Sequence, residues 1–269
     1  MKPLVIGGSF ALAFMLFMAV AFPSLAEITA VADDGAGKNE EKAAEAKGEA
    51  AGEKAKVDEK ADAGAGANAE VDPKRQKFSE LLKSAQDSFA KRDMAEALKT
   101  LEEVPEEFRG EAEFLTLRGS CHIFRKDFEP ALKDFQAAAR KAPHVESCRF
   151  NLAEAYFVTK RWDEAVRELK RVKPQAGPGF ESISTLVAFK LMLCEEGRGD
   201  AKEFDRQAKA NMADPNALLG IFTQAAMQFR DGKKDEGKKT VADAAKRFPK
   251  AEDRVPWIDT MIEFGYDPR

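Results

Sequence analysis

The chain has 269 residues, of which 33% are charged, with a net charge of −4 and only two histidines. No part of it is strongly basic, so nucleic acid is not an expected partner. It lacks a Gly-rich phosphate loop, a Cys-x-x-Cys pair and a His-Glu-x-x-His motif, so we expect no catalytic residues, no cofactor, no metal and no enzymatic activity.

Residues 1–26 have the pattern of an export signal. Lys2 gives a positive start, Phe10–Phe22 is an apolar run, and Ser24-Leu-Ala26 is a small-x-small cleavage site. We expect cleavage after Ala26 and a protein that is exported, either periplasmic or secreted. The alternative is an uncleaved anchor over residues 4–26, because about 20 apolar residues suffice to span a bilayer. This segment is the only expected contact with a membrane.

Residues 27–72 are rich in Ala, Glu, Lys and Gly. They contain six lysines against thirteen acidic residues, and no aromatic residue occurs from 32 to 70. Such a segment has too little apolar surface to form a core, so we predict a disordered linker.

From residue 73 to residue 174 the sequence repeats with a period of 34 residues. Ala97, Ala131 and Ala165 are separated by this step. Further rows with the same step are Met94, Phe128 and Trp162; Leu101, Phe135 and Leu169; Val104, Ala138 and Val172; and Ala85, Gly119 and Ala153. Each copy has two apolar stripes at helical spacing with a short polar turn between them. The period indicates three stacked helix–turn–helix repeats.

Residues 175–269 continue the pattern in weaker form, after the interruption at Pro174–Gly179. Apolar residues between Val255 and Phe264 predict a final short amphipathic helix, which we expect to cap the last exposed face of the stack. The predicted helix pairs are 74–90 with 94–103, 111–124 with 128–141, 145–158 with 162–172, 180–196 with 200–212, and 216–230 with 234–247.

The small and aromatic positions resemble the tetratricopeptide repeat family. The second copy carries the family pattern at Leu115, Gly119, Ala131, Phe135, Ala138 and Pro143, and the third at Leu152, Ala153, Tyr156, Ala165 and Leu169. The resemblance implies an all-α fold, a right-handed α-solenoid of about five helix-turn-helix repeats. Three of these are regular and two divergent, with a C-terminal capping helix.

In that family the first helices of the repeats line a concave face that binds peptides, so the resemblance implies a peptide-binding groove. When the groove positions are carried from copy to copy by the 34-residue period, they fall on Gln86, Phe89, Ser120, Ile123, Phe124, Asn151, Glu154, Phe157 and Val158. The alternative for Phe89, Ile123 and Phe157 is that they are core residues between helices.

These observations favour a scaffold or adaptor that binds a peptide or protein segment, in the assembly or maintenance of the cell envelope. One alternative is a structural protein that self-associates into a homo-oligomer through its repeats. Another is a small-ligand or metal-binding protein, for which the candidate ligands are His144 and Cys148 on one helix and Cys121 and His122 on the preceding one. An axial offset of about 10 Å between these pairs argues against a metal and against a disulfide, so we expect free, mostly buried thiols.

Overall fold

The computed structural model describes residues 72–173 and 180–269, with side chains described from residue 183 in the second range. The predicted signal segment and nearly all of the predicted linker lie outside the described residues. Within them the chain forms eleven α-helices and one 3-10 helix, Glu106–Phe108, and no strand. None of these helices is both long and apolar enough to cross a membrane. The helices are α1 Pro73–Ala90, α2 Met94–Glu102, α3 Ala112–Arg125, α4 Phe128–Lys141, α5 Glu146–Val158, α6 Trp162–Leu169, α7 Phe180–Gly197, α8 Ala201–Asn211, α9 Leu218–Arg230, α10 Lys234–Arg247 and α11 Ala251–Phe264.

The first ten helices form five successive pairs. From α2 onward each helix packs against the next along the chain, and first helices of neighbouring pairs also touch, as α3 touches α5 and α7 touches α9. This is the arrangement of a solenoid, in which each unit buries its apolar face against its neighbours. The predicted all-α solenoid of helix pairs is confirmed.

All five pairs turn in the same way. One or two residues after the end of each first helix, a residue adopts a left-handed conformation. Its N–H donates to the carbonyl three residues earlier, and the next N–H donates to the carbonyl five residues earlier. This arrangement satisfies the last carbonyls of the first helix. The turn residues are Arg92, Lys126, Lys160, Gly199 and Gly232. The divergent fourth and fifth pairs therefore keep the backbone geometry of the regular ones.

The residue five positions after the left-handed one decides how closely the two helices of a pair approach. In the regular pairs it is Ala97, Ala131 or Ala165, each fully buried. In the fifth pair it is Gly237, where an added Cβ would lie 2.6 Å from the ring of Phe229.

The fourth pair has Phe204 at this position, and it is fully buried. The sequence period fades in this pair because a large side chain replaces the small one there.

The final helix is present but begins at Ala251, four residues before the predicted apolar stripe. Its position differs from that of a simple cap. It packs against α9 and α10 of the last pair, and also against α5 and α7, the first helices of the third and fourth pairs.

Candidate functional site

All nine residues of the predicted groove lie on the first helices α1, α3 and α5. Three of them are half-buried: Gln86, Phe124 and Val158. Six are buried: Phe89, Ser120, Ile123, Asn151, Glu154 and Phe157. Most of the predicted groove is therefore not free surface, and the burial of Phe89, Ile123 and Phe157 agrees with the alternative that they are core residues.

On α1 and α3 the burial comes from contacts between the helices. The rings of Phe89 and Phe124 meet edge to face with centroids 5.0 Å apart. The Ser120 hydroxyl donates to the carbonyl of Thr116 in its own helix, at 2.7 Å. Gln86 and Phe124 are the parts of this region that remain accessible.

On α5 the burial comes in part from α11. The ring of Phe264 in α11 lies 6.5 Å from that of Phe157 and 5.4 Å from that of Trp162, measured between centroids. We call the side of α5, α7 and α9 against which α11 packs the covered face.

Two further aromatic residues fix the C-terminal segment to the covered face. Trp257 stacks on Phe222 of α9 at 5.6 Å and meets Phe189 of α7 at 5.5 Å. Beyond the end of α11, Tyr266 stacks on Phe229 of α9 at 5.1 Å. Such ring pairs add to the free energy of burying their apolar area.

The hydroxyl of Tyr266 donates a hydrogen bond to the carboxylate of Glu196 on α7. Burial raises the pKa of Glu196 above its ordinary value, although this hydrogen bond opposes the shift. The pKa of Tyr266 is raised as well, mainly by burial and then by its bond to Glu196. The phenol therefore keeps its proton and remains the donor at neutral pH.

A buried charge cluster joins three helices beneath α11. Lys190 of α7 has a side chain only 1% exposed, and its ammonium lies 3.1 Å from Glu154 of α5 and 3.1 Å from Glu263 of α11. The same ammonium lies 4.2 Å from the ring centroid of Phe157. One cation thus faces two carboxylates and an aromatic ring, in a place that excludes most water.

The balance of charge in this cluster shifts its proton affinities. The pKa of Glu154 is raised to about 7: burial raises it most, Lys190 lowers it, and the charge of Glu263 raises it. Burial lowers the pKa of Lys190, but the attraction of the two carboxylates outweighs burial and the net shift is upward. A proton on Glu154 makes the cluster neutral, since one ammonium then faces one carboxylate.

Lys190 shares its position in the helix pair with two other polar residues, on the first helices of the third and fifth pairs. Asn151, Lys190 and Thr223 each lie nine residues before the left-handed residue that ends their helix. Each is at most 1% exposed. We call these three the polar row.

Two members of the polar row are not satisfied. Within the described ranges, neither side-chain polar atom of Asn151 nor the hydroxyl of Thr223 has a hydrogen-bond partner, and neither does the Oε1 of Glu154. Buried polar groups are normally paired, because leaving one unpaired costs about 1–3 kcal/mol. Asn151, Glu154 and Thr223 belong to helices that α11 contacts, and none of these atoms bonds to α11.

The other reactive side chains are inert. All three cysteines are buried and unpaired. Burial raises the pKa of Cys121 and that of Cys194 to about 12, and it also raises the pKa of Cys148. These thiols are protonated at neutral pH and are poor nucleophiles. No set of three His, Cys, Asp or Glu residues in the described parts of the chain is arranged to bind a metal ion.

Glu154 and Phe157 of the covered face were predicted as groove residues, whereas Lys190 and the contacts of α11 were not, although signals for them exist. Lys190 is the only charged residue in the apolar run 186–194, which is where a buried and paired lysine would appear. Trp257 and Phe264 are seven residues apart, so they lie on one side of a helix and indicate two anchors for a single surface. Neither signal tells which helices the anchors contact.

Residues 125–188 match the family model of the tetratricopeptide repeat. A solved structure, that of a thermophilic tetratricopeptide repeat protein in Thermus thermophilus, is similar with a TM-score of 0.49 and 18% sequence identity. The similarity covers 69% of this chain and 99% of that one. A search of curated proteins gives no match. The match over residues 125–188 and the turn that recurs in the five helix pairs both agree with the resemblance to the tetratricopeptide repeat family.

Proposed function

We propose that this protein is an exported, non-enzymatic scaffold that holds a helical segment of a partner protein on its first helices, in the assembly or maintenance of the cell envelope. The observation that carries the proposal is the position of α11 on the first helices. An amphipathic helix already lies across α5, α7 and α9, held by aromatic anchors and by a buried charge cluster.

This mode of binding follows from the surface itself. A helix that docks in an apolar groove is recognised through side chains that recur on one of its faces, because these reach the groove together. In α11 these are Trp257, Met261 and Phe264, of which the first two are at most 5% exposed. A partner helix with a similar pattern would find the same pockets.

The first-helix surface continues beyond α11 onto α1 and α3. Gln86 of α1 and Ser120 of α3 occupy the position that Glu154 has in α5, since successive members are 34 residues apart. Gln86 and Phe124 are half-buried and are the predicted groove residues through which a partner would be met first.

A photo-crosslinking amino acid in place of Gln86, in the full chain expressed in its native cells, tests the scaffold function. The matched control carries the same group in place of Lys133, an exposed residue of the second helix α4. We expect a discrete crosslinked protein from position 86 and none from position 133. Equal crosslinking at both positions, or none at either, would contradict binding by the first helices.

Export is supported by the pattern of residues 1–26 and is tested separately. We expect the mature protein to begin at Glu27, as determined by N-terminal sequencing of the protein recovered from outside the cytoplasm. A full-length chain in the membrane fraction would instead support the anchor over residues 4–26.

A further inference from the structure

We propose that α11 closes the covered face in the free protein and that the partner which opens it is an amphipathic helix with the same aromatic spacing but an uncharged hydrogen-bonding side chain in the place of Glu263. The inference rests on the proposed scaffold function and names the class of partner. Three observations lead to it: the short link between α10 and α11, the polar side chains that lack hydrogen-bond partners, and the two carboxylates that share one cation.

Helix α11 can leave the covered face without disrupting a helix pair. Three residues, Phe248–Lys250, join it to α10. The helices that α11 covers also pack on their own second helices, as α5 does on α6, α7 on α8 and α9 on α10. Departure of α11 therefore exposes the covered face while each pair keeps its internal contacts.

Helix α11 leaves two members of the polar row without hydrogen bonds. Asn151 and Thr223 lie on two of the three helices that α11 covers, are at most 1% exposed, and have no hydrogen-bond partner among the described residues. Departure of α11 would admit water to these helices, and water bonded to either side chain would favour the open state. A partner helix with polar side chains at these two points would gain bonds that α11 does not make.

The charge cluster also contains a contact of α11 that is less favourable than it could be. Closure brings Glu263 to an ammonium that already faces Glu154, so the cluster then holds two carboxylates against one cation. Excess buried charge is unfavourable because little water remains to screen it. An amide in the place of Glu263 keeps an acceptor for Lys190 without adding charge, which is why we expect a neutral side chain there.

Hydrogen exchange on the intact full-length chain tests closure directly. We expect the amides of α11 to exchange through local opening, at least tenfold faster than those of α7. In the variant with Asn151→Leu and Thr223→Val, closure no longer buries unsatisfied groups, and exchange of α11 should slow about tenfold or more. Exchange of α11 and α7 at one common rate, through global unfolding, would overturn the proposal.

Peptide binding tests the class of partner. The full chain is prepared with a protease site in place of Phe248–Lys250, and the probes are labelled peptides of residues 251–269, with Glu263 or with Glu263→Gln. Fluorescence anisotropy at pH 8 should show no binding to the intact chain and binding to the cleaved chain, about tenfold tighter for the Glu263→Gln peptide. A Glu263→Lys peptide, which places a second cation beside Lys190, should not bind.

Each other outcome contradicts a part of the proposal. Unfolding of the cleaved chain would make α11 a structural cap. Equal binding to the intact chain would mean that the face is open, and tighter binding of the Glu263 peptide would refute the neutral partner. A dimer in light scattering would mean that α11 of a second copy covers the face. The crosslink at position 86 does not depend on these results, so the scaffold function can stand where this inference fails.

Discussion

Replacement of Lys190 by methionine isolates the energy of the buried charge cluster. Methionine has nearly the length of lysine and can fill its space, so the change removes the charge with little loss of volume. It leaves the carboxylates of Glu154 and Glu263, which lie 3.1 Å from the lost ammonium, facing each other with no cation. Removing one partner of a buried ion pair typically costs about 3–5 kcal/mol, because the remaining charge is uncompensated.

We expect Lys190→Met to lower the free energy of unfolding by about 3–5 kcal/mol at pH 8. The loss should be smaller at pH 5, where the carboxylates can take up protons. The measurement is urea unfolding followed by circular dichroism on the full-length protein.

Two controls separate charge from packing. The triple variant with Lys190→Met, Glu154→Gln and Glu263→Gln keeps the shape without charges and should recover most of the loss. Lys133→Met, at an exposed position of α4, should change stability by less than about 0.5 kcal/mol. A loss for Lys190→Met no larger than that for Lys133→Met would mean that the cluster is solvated, and the reasoning about the covered face would fail with it.

Four further predictions test other parts of the structure. Gly232→Ala should destabilise the protein by about 1–2 kcal/mol, since its φ is +79° and no atom within 4 Å hinders the added Cβ; thermal unfolding that did not change would refute the left-handed turn. Lys160→Gly, at a φ of 59°, should stabilise it by about 0.5–1 kcal/mol in the same assay. Ala131→Leu should cost about 1–3 kcal/mol because Ala131 is fully buried at a helix crossing, and an unchanged melting temperature would show that the crossing has spare room. For Glu154, the ordinary pKa of 4.5 is raised to about 7 in the folded state, so the folded state holds a proton that the unfolded chain releases between these values; stability should fall as pH rises through this window and level off above it, and Glu154→Gln should remove that slope in urea titrations at each pH.

Much of the fold could be predicted because its causes are local. The left-handed turns, the buried alanines and the apolar stripes each depend on residues that are close in sequence. The predicted bounds of the helices therefore agree with the structure to within a few residues. The largest difference within the pairs is at α6, which was predicted to reach residue 172 and ends at Leu169.

The covered face could not be predicted because its causes are distant in sequence. Lys190 and Glu263 are 73 residues apart, and no periodicity relates them. The 34-residue period placed Glu154 and Phe157 on the correct helix. It could not predict their contacts with α11, because α11 lies outside the repeats. Whether those two residues face water or α11 depends on the direction of the chain after Lys250.

The reach of α11 over three pairs changes how the solenoid should come apart. A stack in which units touch only their neighbours behaves as a one-dimensional chain and can lose units one at a time from either end. Here α11 contacts α5, α7 and α9 at once, so as long as α11 stays closed it holds the third to fifth pairs together and these pairs should resist being lost one at a time. The contacts given for α11 do not include the first two pairs. Stepwise loss of structure should therefore begin at the N-terminal end of the stack.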